Sequence, residues 1–171
     1  MKIPALICAA LITAASPAAA SEVFGGAYVH DVKTPLDLSG VESGADLMAG
    51  WRGNKIAHTP LRPYVFGAVN TAGATNYAAV GLSAKFGRKL YVRPGLGLAI
   101  HTGSARNFED PSNDKIEFGS RILFEPELGI GTEINDRLSV EVSLVHMSHA
   151  QIFGRENPGI DNLGVRLNLK L

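Results

Sequence analysis

Cysteine is almost absent from this chain: Cys8 is the only one in 171 residues, and it lies in the apolar stretch at the N-terminus. From Ser21 onwards there is no thiol, which excludes a disulfide framework, a cysteine-based metal site and a cysteine nucleophile. Charge of one sign is also missing, since 16 Lys and Arg balance 16 Asp and Glu. That balance removes the basic footprint expected of a nucleic-acid binder, so no nucleic acid is expected as a partner. Past residue 20 no run approaches the roughly 18 apolar residues that a membrane-spanning helix requires. Glycines are plentiful, yet none opens a helix, so no phosphate-cradling loop can be drawn.

What is present begins with a leader pattern. Lys2 supplies a positive start, residues 3–15 form an apolar core, and Ala18-Ala19-Ala20 before Ser21 fits a signal-peptidase site. Residues 1–20 are therefore expected to be a removed signal peptide, and residues 21–171 a single domain. Cys8 sits in the middle of the apolar core instead of closing it, which argues against lipid attachment.

The rest of the chain alternates apolar and polar residues with period two, interrupted by Gly, Asn, Asp and Pro. Eight strands are expected, over residues 22–31, 45–53, 62–71, 76–86, 90–101, 116–134, 138–149 and 160–171. Their connections alternate in length. Residues 87–89 and 135–137 are tight, whereas 32–44, 102–115 and 150–159 are long and polar; 54–61 and 72–75 depart from the pattern. An all-β, eight-stranded antiparallel transmembrane barrel of the bacterial outer membrane fits this, with short periplasmic turns and long external loops. Glu125, Glu127, Glu141 and Arg166 are then expected in the lumen, and Gly81, Gly95, Gly97, Gly129 and Gly131 to relieve crowding in a tightly curved wall. Trp51, Tyr64, Phe66, Tyr77, Phe86, Tyr91, Phe118, Phe124 and Phe153 fall towards strand ends and read as interface girdles.

The last two strands carry the chemistry. Leu138, Val140, Val142 and Leu144 share one face, continued by His146 and Ser148; Leu163, Val165, Leu167 and Leu169 share the matching face, extended backwards by Asp161. A hydroxyl, an imidazole and a carboxylate thus gather at the loop end of the apolar face of neighbouring strands, about 4.8 Å apart. Nucleophilic acyl transfer uses those three groups, with histidine as base and a carboxylate holding its tautomer. His146 and His149 have metal-ligand spacing, but residues three apart on a strand face opposite ways, so no metal and no other cofactor is expected.

The run His146-Met147-Ser148-His149-Ala150, followed by Asn157-Pro158-Gly159-Ile160-Asp161, resembles the end of the PagL family of outer-membrane lipid A 3-O-deacylases. That family carries His-x-Ser-Asn-Ala, an Asn-x-Gly turn and an acid, usually glutamate, two positions after the glycine. The resemblance implies a serine esterase with Ser148 as nucleophile, His146 as base and Asp161 as the orienting acid. Its substrate would be lipopolysaccharide, losing the 3-hydroxyacyl chain at position 3 of lipid A near the external leaflet, with outer-membrane lipids as its surroundings. His149 stands where the family has asparagine; it and Ala150 are the expected oxyanion donors, and Glu156 is the rival acid. The alternative is a non-enzymatic small outer-membrane barrel with a structural or adhesive role. A soluble periplasmic carrier is disfavoured by the leucine row reaching Leu171, and the oligomeric state stays open.

Overall fold

A computed structural model describes residues 21–35, 40–106, 115–152 and 157–171. Its strands are β1 (Glu22–Val29), β2 (Ala45–Arg52), β3 (Leu61–Asn70), β4 (Tyr77–Ala84), β5 (Leu90–His101), β6 (Ile122–Glu133), β7 (Leu138–Met147) and β8 (Ile160–Lys170). β4 continues past Lys85 as Phe86–Gly87, still paired with β5. Each strand is antiparallel to its neighbours in sequence, and β8 pairs with β1, so eight strands close into a barrel without a free edge. The signal-peptide expectation, Phe153 and Glu156 fall outside the described residues.

The barrel is inside out relative to a water-soluble one. Val65, Val69, Val80, Leu96, Ile100, Val142 and Val165 stand exposed on the outer wall, while Arg52, Arg93, Glu125, Glu127, Glu141 and Arg166 are buried in the lumen. The period-two alternation assigns both sets, because one residue in two faces each way. Strands of 8 to 12 residues, tilted, suit an apolar band about 25 Å tall. Inside, Arg166 donates to Glu127 at 2.7 Å and Arg93 pairs with Glu141 at 2.7 Å, while Glu22 accepts from both Arg52 and Arg93. These opposed charges replace water and fill the narrow lumen. Gly97 and Gly81 make room for them, since a Cβ on either would collide with Tyr64, whose hydroxyl donates to Glu125.

The girdle expectation fails for Tyr64, Phe66, Tyr77, Tyr91 and Phe118, which are buried inside the barrel. Tyr64, Phe66, Tyr77 and Tyr91 have the strand parity of the charged row, and their rings pack the lumen. Phe66 stacks on Tyr64 and meets Phe24 edge-on, and Phe24 lies under both Arg52 and Arg166 at 4.8 Å. The sixth strand also starts later than expected, at Ile122 instead of residue 116. Gly119 takes φ 70° and breaks the strand, so Ile116 and Phe118 fold inward over the barrel mouth, with Phe118 packed 4.3 Å from the His101 ring.

The two ends differ as the loop lengths require. At one end Asn135 closes the β6–β7 turn by accepting the amides of Arg137 and Leu138, and Ser21 and Leu171 lie there, joined by a backbone hydrogen bond. The other end carries the long loops and the rim residues of β7 and β8.

Candidate active site

β7 and β8 pair so that His146 lies directly opposite Asp161. The apolar rows on both strands demand this register, because a slip of one residue would turn leucines into the lumen and charges into the wall. His146 Nδ1 lies 2.7 Å from Asp161 Oδ1, and His146 Nε2 lies 2.9 Å from Ser148 Oγ. A carboxylate only accepts, so Nδ1 carries the proton and donates it to Asp161; Nε2 is left to accept from the Ser148 hydroxyl. That is the tautomer a general base needs.

Each residue is fixed from behind. Ser148 sits just past β7 but remains tied to β6, exchanging backbone hydrogen bonds with Phe124 at 2.8 and 3.1 Å. Asp161 is fully buried although it continues the outward row, whereas the His146 side chain is 15% exposed. Among the three, the imidazole is therefore the most open, and it opens beside Leu144 and Leu163 on the outer wall. The sequence placed these three residues on one face, and the structure brings them into contact.

The two expected oxyanion donors separate. His149 is fully enclosed and its backbone amide donates to Asn157 Oδ1 at 2.8 Å, so its ring is shut away from an incoming ester. Ala150 is exposed, and its N–H makes no hydrogen bond among the described residues. Ala150 and Gln151 both adopt left-handed φ, 52° and 59°. Such backbone costs on the order of 1–3 kcal/mol per residue and concentrates at functional sites. No sequence signal marked this turn, since neither residue is Gly or Asn. Among the described residues no group of three or more His, Cys, Asp or Glu side chains forms a metal site.

Behind the triad the mouth is a polar plug. Asn162, next to Asp161, donates to Tyr77 at 3.1 Å, and Tyr77 donates to Asp46 at 3.2 Å. His30 bridges Asp46 at 2.9 Å and Glu42 at 3.0 Å. Burial alone would lower the His30 pKa, but hydrogen bonds to Asp46 and Glu42, and their charges, outweigh it and raise it to about 9.

A family model described as lipid A 3-O-deacylase (PagL) matches residues 25–170. The chain belongs to the PagL family. The crystal structure of the outer membrane enzyme PagL is 19% identical with a TM-score of 0.53, covering 90% of this chain and all of its own. Designed transmembrane β-barrels match at 12% identity and TM-score 0.56, covering 91% of this chain and 98% of theirs. Neisserial surface protein A matches at 14% and 0.51, covering 88% and 97%. At these identities the solved structures speak for the fold alone, and no curated protein matches the sequence. Family and fold together make this an outer-membrane barrel of the lipid A 3-O-deacylase family.

Proposed function

We propose that this PagL-family chain removes the acyl chain at position 3 of lipid A by a serine esterase mechanism run from the outer wall of the barrel. The observation that carries this reading is the unbroken hydrogen-bond sequence from Ser148 through His146 to Asp161 at the membrane-facing rim. Water-soluble hydrolases place such a group in a cleft; here the substrate's acyl chains already lie in the bilayer and reach the site sideways.

In the first half-reaction Ser148 Oγ attacks the ester carbonyl while its proton passes to His146 Nε2. The resulting imidazolium is stabilised by Asp161 and returns the proton to the departing sugar oxygen, leaving an acyl ester on Ser148. His146 then takes a proton from water, the hydroxide attacks the acyl ester, and a free 3-hydroxy fatty acid leaves as the serine hydroxyl is restored. The backbone amide of Ala150, an exposed residue in the left-handed turn that follows Ser148, is the donor we assign to the developing oxyanion.

The acyl chain has a seat available. A shallow depression of about 330 Å³ on the outer wall runs from Phe124, the backbone partner of Ser148, past Leu98 and Val80 to Leu96 and Leu82. Leu98 pairs with Phe124 and Leu96 with Pro126, so the depression descends from the rim towards the bilayer centre.

An organophosphonate ester that reacts with activated serines tests the mechanism. It should label Ser148 in the detergent-purified barrel, and His146→Ala should abolish the labelling. Labelling at another serine, or labelling of Ser148 unaffected by His146→Ala, would refute the assignment of Ser148 as nucleophile and His146 as its base.

A further inference from the structure

Asp161 presents a puzzle of exposure. Leu163 and Val165, further along the same outward row, are 44% and 51% exposed, yet Asp161 is completely covered. The cover is the strap that follows β1. Val32 N donates to Asp161 O at 2.7 Å, Asp31 N donates to Asn162 Oδ1 at 3.0 Å, and the Thr34 hydroxyl donates to Asp161 Oδ2. The strap is itself pinned, because Asp31 Oδ2 accepts the amides of Val41 at 2.6 Å and Glu42 at 2.8 Å, and His30 is clamped between Asp46 and Glu42.

We propose that Thr34 is a positioning residue for the reaction, acting through Asp161; the inference rests on the serine esterase reading above. A carboxylate on a short side chain rotates over a broad torsional well about its last bond. His146 engages one oxygen, which leaves the group free to swing out of the imidazole plane. Thr34 takes the other oxygen, so the carboxylate is held at both corners and the Nδ1 hydrogen bond keeps its direction. A β-branched residue with a stiff χ1, on a strap pinned at three points, is suited to hold this geometry. The hydroxyl comes from a loop more than a hundred residues away in sequence, which is why the hairpin pattern alone does not reveal it.

The test compares Thr34→Val, which keeps the shape and removes the hydroxyl, with Thr34→Ser, which keeps the hydroxyl. Both are measured in detergent on lipopolysaccharide, with heat-modifiable gel migration to verify the barrel. Thr34→Val should lower kcat by roughly 10- to 100-fold, the scale of a misplaced catalytic group, with KM little changed. Thr34→Ser should recover most of the wild-type kcat, and in an Asp161→Asn background Thr34→Val should add little further loss. Wild-type kcat in folded Thr34→Val, an equal loss in Thr34→Ser, or a change confined to KM would each overturn the proposal. Ser148→Ala run in parallel separates the two levels: if it is inactive while Thr34→Val is normal, the Thr34 role alone fails. If Ser148→Ala is active, the underlying mechanism fails and the Thr34 role with it.

Discussion

Replacing Asp161 by asparagine removes a charge while preserving shape, and the site geometry sets how much should be lost. When His146 becomes an imidazolium, its positive charge sits about 4 Å from the centre of the Asp161 carboxylate. At the effective dielectric of about 20 that describes protein sites, that pair is worth about 4 kcal/mol, or about 10³ in rate. A second loss arises if the amide turns its NH₂ to His146, because Nδ1 must then accept and Nε2 carries the proton, which disables the base and costs about 10⁴ in other triads. The Thr34 hydroxyl can donate to the amide carbonyl or accept from its NH₂, so it fits either orientation and the loss spans both cases. Asp161→Asn should therefore lose about 10³ to 10⁴ in kcat and keep a folded barrel, because no buried charge is left unpaired. The assay is deacylation of lipopolysaccharide in detergent, followed by mass spectrometry of lipid A. Turnover within tenfold of wild type would refute the assignment of the acid, and a larger loss in Glu156→Gln than in Asp161→Asn would transfer the role to Glu156.

Two further outcomes follow from the rim and the wall. Leu98→Trp fills the depression beside Phe124, so kcat/KM should fall more for lipid A bearing long acyl chains than for short-chain analogues; an equal fall for both would remove the depression from the substrate path. His30 has its pKa raised from 6.5 to about 9, so its clamp contributes full stability below about pH 6.5 and loses it as pH rises through about 9. The thermal-unfolding gap between wild type and His30→Gln should accordingly shrink between pH 7 and pH 10, and a gap that widens would contradict the ion-paired clamp.

The wall and the meeting of Ser148, His146 and Asp161 were legible in the sequence for the same reason. Strict alternation fixes which residues share a face, and once β7 and β8 are paired by their leucine rows, His146 and Asp161 must face each other. Parity could also have placed Tyr64, Phe66 and Tyr91 inside, since each alternates with an exposed valine; aromatic character suggested the membrane interface and obscured the simpler signal. The strap over Asp161 and the inward fold of Ile116 and Phe118 were not legible, because neither segment has a period and both are placed by contacts distant in sequence. His149 stands at the motif position where the family has asparagine, yet the turn buries its ring and leaves Ala150 at the surface.

The central claim is that Ser148 attacks a lipid A ester under control of His146. Its most direct test is to incubate wild type and Ser148→Ala, each with the gel shift of a folded barrel, with the same lipopolysaccharide in detergent and to weigh the lipid A. Single losses in a coupled proton-transfer unit cost roughly 10⁴ to 10⁶ in rate. Wild type should yield lipid A lighter by one 3-hydroxyacyl group and Ser148→Ala should leave it intact. The same mass loss with folded Ser148→Ala, at a comparable rate, would contradict the account.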